Sequence, residues 1–249
     1  KYFITKINTK ITTYMHRIQK ILSIMGVLSR RECEKLLLEN KIKINDKSAT
    51  VGSKAGVNDI IAVNDKKYIV TEDLFKLEIK MIAYHKRCGE IVSKKDRKTK
   101  RTVFEQLPYI ENKWINIGRL DVNTSGLLLF TNNGDLAHKL MHPSSNIKRV
   151  YSVRIKGDFN REKMILCKKG IDIGNNEIGY FTEIIKSEKN SYLLTLTTGK
   201  NREIRRVLKK INCSVEKLKR ISYGPISLEH LFEGQYRTLK DSEIKLFLN

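Results

Sequence analysis

Acidic residues are scarce in this chain: 27 Asp+Glu stand against 49 Lys+Arg in 249 residues, a formal net charge of +22. Such an excess makes a polyanion the default partner, because each cation set against a phosphate releases condensed counterions. Nucleic acid leads and an acidic membrane surface trails. Long apolar runs are missing too; Leu127-Leu128-Leu129-Phe130 is among the longest, far short of the ~20 residues that span a bilayer, so the chain reads as soluble with no membrane partner. Cysteine is sparse and scattered. Cys33, Cys88, Cys167 and Cys213 lie 46 to 79 residues apart, a spacing that supports neither a metal knuckle nor a compact disulfide framework and suits a reducing cytoplasm. Residues 1–14 are basic, with no continuous apolar stretch and no small-residue cleavage pattern, so they read as an extension rather than a secretory signal. There is no Pro/Gly/Ser linker, no internal repeat and no G-x-G-x-x-G nucleotide loop. What is present is 40% apolar residues, too many for a disordered polycation, so the chain should fold.

The charge is unevenly spread. Residues 15–75 carry 11 Lys+Arg and 8 Asp+Glu, whereas residues 76–249 carry 35 and 19. Within the larger part, segments 80–105 and 199–220 hold nine basic residues each, interleaved with apolar ones. They read as folded faces that wall a cleft. The boundary falls at the polar stretch Thr71-Glu72-Asp73, giving an extension over 1–14, a small domain over 15–75 and a large one over 76–249.

In the small domain, Ile18, Ile21, Leu22 and Met25 follow helical spacing and Gly26 supplies a left-handed stop. Ser29 and Glu32 form a capping box for a second helix, whose buried stripe is Cys33, Leu36 and Leu37 and whose outward side carries Arg30, Arg31 and Lys35. Lys41–Asn45, Ile60–Val63 and Lys67–Val70 alternate in the strand period. A basic helix face is often simply solvated, but the start of a helix also favours phosphate. The run R-I-Q-K-I-L-S-I-M-G-V-L-S-R-R-E-C-E-K-L-L resembles the S4-type RNA-binding domain over about residues 16–70. That resemblance implies RNA contact through Arg30, Arg31 and Lys35, by backbone charge and shape rather than base stacking.

The sharpest feature is W-I-N-I-G-R-L-D-V-N-T-S-G-L-L-L-F-T-N-N-G, residues 114–134. Trp114–Ile117 and Leu127–Thr131 read as strands, Asn132-Asn133-Gly134 as a turn, and Asp135 as the N-cap of a helix through Leu140 that Pro143 keeps short. The loop between the strands holds Arg119, Asp121, Thr124, Ser125 and Gly126. By itself an Asp in such a turn suits an Asx-turn as well as chemistry. Tyr84, Phe104 and Trp114 read as core aromatics, and His138 with His142 as capping or packing residues rather than metal ligands.

The full string, with A-Y-H-K-R-C-G (83–89), T-V-F-E-Q-L-P (102–108), R-V-Y-S-V (149–153), G-K-N-R-E-I-R-R (199–206) and L-K-R-I-S-Y-G-P-I-S-L (218–228), resembles the family of ribosomal RNA pseudouridine synthases whose branches modify either small-subunit or large-subunit RNA. N-R-E-I-R-R followed by L-K-R-I-S-Y-G favours the large-subunit branch, with a small-subunit target as the alternative. The resemblance implies an α+β protein: an S4-type domain, then a catalytic domain on a mixed, largely antiparallel sheet with flanking helices. It implies Asp121 as catalytic carboxylate, Tyr151 as the base-stacking ring and Arg205 as the cation paired with Asp121. Lys86, Arg119, Arg149, Arg202 and Arg206 join Arg30, Arg31 and Lys35 as candidate RNA contacts. Arg149 stands where many members have Lys, Arg87 where Pro is usual, and Asn133 where Asp is common.

Isomerising uridine breaks the bond from ribose C1′ to base N1 and joins C1′ to C5 of the same base, with no redox change and no group transferred. No cofactor or metal is expected. The expected partner is a ribosomal RNA stem-loop with a flipped uridine, met by a monomer. The reaction needs an ionised carboxylate, to attack the anomeric carbon or to take a proton from the neighbouring ribose carbon, and a flat wall for the freed base. A methyltransferase would need the absent Gly-rich loop. A non-catalytic ribosome assembly factor would share the basic faces but has no use for Asp121 and Arg205 together.

Overall fold

The computed structural model describes residues 15–76, 78–93, 101–110 and 113–248; the 1–14 extension and residues 94–100 of the basic 80–105 segment lie outside them. Two compact units divide after Glu78. The first also takes in Lys113, whose ammonium donates to the Gly26 carbonyl (2.9 Å). No described helix is long and apolar enough to cross a membrane.

In the first unit, helices α1 (Ile18–Ile24) and α2 (Arg30–Leu38) pack on strands β1 (Ile42–Ile44), β2 (Lys47–Ser48), β3 (Ile60–Val63) and β4 (Lys66–Ile69). The sheet order is β2-β1-β3-β4, every pair antiparallel. The capping box is formed as the sequence implies: Ser29 Oγ accepts from Glu32 N (3.2 Å) and Glu32 Oε2 from Ser29 N (2.8 Å). Ile18, Ile21, Leu22, Cys33 and Leu37 are buried, while Arg30, Arg31 and Lys35 are exposed on α2. Arg30 shares a groove of this unit with Arg17, Lys20 and Lys54.

The second unit is built on strands β5 (Met81–Lys86), β6 (Ile115–Ile117), β7 (Ser125–Thr131), β8 (Arg149–Lys156), β9 (Glu183–Glu188), β10 (Ser191–Leu196), β11 (Ser214–Tyr223) and β12 (Tyr236–Thr238). Their order is β9-β10-β8-β11-β7-β5-β12, with β6 also on β7 and Ile226–Ser227 on β11. All neighbours run antiparallel except β7 and β11, so the sheet is mixed and largely antiparallel. Helices α3 (Gly134–Met141), α4 (Arg161–Lys169), α5 (Glu203–Lys210) and α6 (Asp241–Leu248) flank it. Both faces of β5 and β7 are covered: Met81, Ala83, Leu127 and Leu129 join one core, and Ile82, Tyr84, Leu128 and Phe130 another. That double burial explains why Leu127 to Phe130 is continuously apolar where a half-exposed strand would alternate.

Beyond one-residue shifts at several ends, two boundaries differ from the sequence reading for a definite physical reason. The N-cap of α3 is Asn133, not Asp135, because Asn133 Oδ1 accepts from both Asp135 N (3.0 Å) and Leu136 N (2.9 Å). Asp135 sits in the first turn instead, where its charge meets the helix dipole. Strand β7 begins at Ser125, two residues early, since Ser125 and Gly126 pair with Lys219 and Arg220 of β11. Gly126 makes that pairing possible. Its φ is +110°, and a Cβ there would lie 2.2 Å from the Arg220 carbonyl oxygen. Backbone on both sides leaves no flexible group to yield, so Gly126→Ala is expected to cost more than about 2 kcal/mol of stability, measured by denaturant unfolding.

Candidate active site

The loop from Gly118 to Thr124 enters β7 at the one parallel junction of the sheet. Its shape is set from below. Thr124 N donates to the Asp121 carbonyl (3.0 Å), closing a turn, and Gly89 N donates to the Val122 carbonyl (2.8 Å). Lys86 ends a strand whose six residues are all buried, and its ammonium donates to the carbonyls of Arg87 (2.9 Å), Asp121 (3.1 Å), Val122 (3.3 Å) and Thr124 (2.8 Å). From α5, Arg205 Nη2 donates to the Asn123 carbonyl (2.8 Å). Every carbonyl from Asp121 to Thr124 thus has a donor, which leaves side chains rather than backbone to meet a ligand.

The segment around Lys86 is itself braced. Tyr84 Oη donates to both oxygens of buried Glu90 (2.9 and 2.8 Å), and Arg87 N donates to Glu90 Oε2 (3.0 Å). The A-Y-H-K-R-C-G string is therefore a support for the Asp121 loop. Lys86 is fully buried and cannot be the RNA contact expected from sequence: the carbonyl cluster has taken its charge inside. Burial pushes its ammonium pKa down to about 8, while Glu90, Cys88 and Asp121 act to raise it.

Asp121, Thr124, Tyr151, Arg202, Arg205 and Leu218 line one cavity of about 70 Å³. Tyr151 comes from the middle of β8, where a bulge between Val150 and Tyr151 shifts the register against β11. Its ring packs against both the α5-side core and the Tyr84 core. Thr124 brings a buried hydroxyl with no partner among the described residues. The sequence reading thus names three residues, Asp121, Tyr151 and Arg205, that the fold brings to one place.

The ion pair differs from expectation. Asp121 Oδ2 is 3.5 Å from Arg202 Nη1, and no other ion pair to Asp121 occurs among the described residues. Arg205 instead gives Nη2 to Asn123 and Nη1 to the Val215 carbonyl (3.4 Å), with its Nε buried and unpartnered among the described residues. Burial and the adjacent Arg202 cation lower the pKa of Arg205, and the Asp121 charge opposes them. Glu203 shapes this loop and was not visible as a site residue: Oε1 accepts from Thr198 Oγ1 (2.7 Å) and Oε2 from Lys200 N (3.1 Å).

Two further expected RNA contacts are structural. Arg149 is buried, donating to the carbonyls of Thr197 (2.7 Å) and Thr198 (2.9 Å) and to Tyr223 Oη (3.2 Å). Arg206 is held by Glu177 (2.6 Å) and by the carbonyls of Ile173, Gly174 and Asn201. Arg119 is exposed and Arg202 half-exposed. No described residue of 80–105 lines the cavity, and the described part around Lys86 supports the loop; the expected cleft wall over residues 94–100 lies outside the described residues. His142 caps the short helical turn Pro143–Ser145, accepting from Ser144 N (3.3 Å), and stacks edge-on with His138 at 5.6 Å. Among the described residues no group of three His, Cys, Asp or Glu is placed to hold a metal.

A family model described as RNA pseudouridylate synthase matches residues 80–210, and one for the S4 domain matches residues 16–61. A crystal structure of a pseudouridylate synthase aligns with a TM-score of 0.66 at 25% identity, covering 93% of this chain and 99% of that one. The chain belongs to the RNA pseudouridylate synthase family. Its curated relatives include ribosomal large subunit pseudouridine synthase B of Buchnera aphidicola subsp. Schizaphis graminum, 41% identical over 244 residues that cover 94% of this chain and 93% of the relative. The protein of the same name from Vibrio cholerae is 34% identical over 218 residues, 86% of this chain and 68% of the relative.

The Lys86 strut carries a pH signature. Above about 8 the ammonium loses a proton, and a neutral amine has only two hydrogens for four carbonyls. Activity at saturating RNA should therefore fall as pH rises through about 8. Stability should not fall with it. Because the pKa is lower in the fold than in the unfolded chain, the unfolded state holds more protons in this window, so the Lys86 contribution to stability rises from about 8 toward the ordinary lysine value near ~10.4. A pH–rate profile flat to about pH 9, with unfolding midpoints measured alongside, would contradict the strut.

Proposed function

We propose that the protein converts a uridine of large-subunit ribosomal RNA to pseudouridine, with Asp121 as the reacting carboxylate and no cofactor. The observation that carries this reading is the meeting of Asp121, Tyr151 and two arginines in one cavity, in a chain whose relatives are named for that reaction on that RNA. The target nucleotide leaves its stack to enter the site. Asp121 then either attacks C1′, displacing uracil N1, or takes the C2′ proton so that the C1′–N1 bond breaks by elimination. The freed uracil turns against Tyr151 and bonds to C1′ through C5, as the Asp121–C1′ bond breaks in the first route or the proton returns to C2′ in the second. The C5 proton leaves and N1 regains one, so atoms and electrons balance without a redox partner.

Arg205 contributes here as wall and clamp. It holds the Asn123 carbonyl and stands as a second cation in the cavity that Asp121 lines. Arg119 and Arg202 face the RNA backbone. The S4-type module, residues 15–75, adds affinity through Arg30, Arg31 and Lys35, exposed together on α2. The enzyme acts as a monomer on a structured stem-loop in the cytoplasm.

The test is pseudouridine mapping on an unmodified large-subunit rRNA transcript. Wild type should create a pseudouridine; Asp121→Asn should create none without weakening RNA binding, because the amide keeps the shape but neither attacks carbon nor accepts the proton. Tyr151→Phe should retain more single-turnover activity than Tyr151→Ala, since the ring face is worth roughly 1–3 kcal/mol of stacking. Equal rates for the two would reassign Tyr151 from platform to proton relay. Neutralising Arg30, Arg31 and Lys35 together should weaken binding and lower the salt slope by roughly 0.7 to 0.9 per lost phosphate contact. Unchanged affinity and slope would make that face merely solvated.

A further inference from the structure

The cavity at Asp121 is small for its proposed occupant. Its volume of about 70 Å³ is well below the roughly 300–1,000 Å³ of sites that hold a small-molecule-sized ligand. A nucleotide needs part of the lining to move. Tyr151 is fixed in a central strand and Arg205 is tied to the Asn123 and Val215 carbonyls. Arg202 is the freest wall. Its side chain is 51% exposed, and its only ion pair among the described residues is the 3.5 Å contact to Asp121, itself 33% exposed.

Its backbone, by contrast, is pinned. Arg202 is in the left-handed region (φ 48°, ψ 34°) at the N-cap of α5. The next residue, Glu203, is buried and bonded to both Thr198 and Lys200. A fixed base with an exposed guanidinium on a single long ion pair gives a side chain that can choose between anions. The present anion is a poor hold, because a half-exposed pair at 3.5 Å is longer than the ~2.7–2.9 Å of a strong charge-assisted bond. A phosphate offers the guanidinium bidentate geometry, and the N-terminus of α5 adds its dipole to the attraction.

Resting on the RNA reading above, we propose that Arg202 is an exchangeable clamp: in the free protein it closes the site on Asp121, and when RNA arrives it transfers to a backbone phosphate beside the target nucleotide. Asp121 is uncovered only as the RNA seats, and it then remains beside Arg205. Binding therefore has to break the Asp121–Arg202 pair, and that pair is an internal competitor of the RNA.

A double-mutant cycle in RNA affinity tests this, using wild type, Asp121→Asn, Arg202→Gln and the double variant, with the unmodified large-subunit rRNA transcript as probe and affinities read before the first turnover. Asp121→Asn should tighten binding by roughly two- to fivefold, the worth of a half-exposed ion pair, because it frees Arg202. Arg202→Gln should weaken binding and lower the salt slope by roughly 0.7 to 0.9. In the Arg202→Gln background, Asp121→Asn should change nothing beyond error. Equal tightening in both backgrounds would mean that only the general repulsion of a negative charge was removed, and it would overturn the exchange. So would the absence of tightening while Arg202 is present. Failure of the functional reading looks different: a wild-type protein that binds the transcript and forms no pseudouridine defeats the uridine chemistry but leaves the cycle readable, and one that does not bind it defeats both.

Discussion

A buried ammonium under four backbone carbonyls is the interaction on which the rest of the site depends. Lys86 sits at the end of a wholly buried strand and reaches the carbonyls of Arg87, Asp121, Val122 and Thr124. A loop that turns sharply into a parallel strand junction exposes carbonyls that no ladder can satisfy. Leaving even one buried without a donor costs about 1–3 kcal/mol; here a single charge reaches four, of which those of Asp121 and Val122 also accept from backbone N–H groups. Removing the lysine would withdraw from four carbonyls together the three hydrogens that they share, so loop geometry and buried charge are coupled. Tyr84, Glu90 and Gly89 extend the brace, so that Asp121 rests on the sheet rather than on a free turn.

The other side of the cavity is organised differently. Glu203 shapes the loop before α5 from within, and α5 then sends Arg205 to the Asp121 loop and Arg206 away to Glu177 and Ile173. Adjacent arginines on a helix point about 100° apart, which is why two neighbours in the same basic string have unrelated jobs. The net effect is a carboxylate bordered by two cations, one held and one loose. Such a border suits a site that must keep a negative charge inside a protein and still admit a polyanion.

Much of this was legible in the sequence. The capping box, the helical spacing of the first unit, the strands around the G-R-L-D loop and the core aromatics all follow from local rules, and the structure keeps them. Asp121, Tyr151 and Arg205 came from the motif resemblance, and the fold gathers them. The basic residues were harder. Lys86, Arg149 and Arg206 look like RNA contacts in a chain of this charge, yet each spends its donors on carbonyls, a phenol or a carboxylate of its own fold. Sequence shows that a cation is present but not which acceptor lies above it; that depends on pairings such as Lys219 with Ser125, nearly a hundred residues apart. The same limit hid Glu203, and it assigned the ion pair to Arg205 when the geometry gives it to Arg202. One signal was available for Lys86: a lysine closing the run Met81-Ile82-Ala83-Tyr84-His85, where a strand buried on both faces leaves a charge little room to reach water.

The most direct test of this account is the single-turnover isomerisation rate of Lys86→Met at saturating RNA, with unfolding and RNA affinity measured on the same protein. Met keeps the length of the side chain and removes the donors. If the strut aims Asp121, the folded variant should bind RNA as wild type does, because Lys86 is buried, and react on the order of 10- to 100-fold more slowly through misplacement of the carboxylate. A folded variant that isomerises within about threefold of the wild-type rate would contradict it.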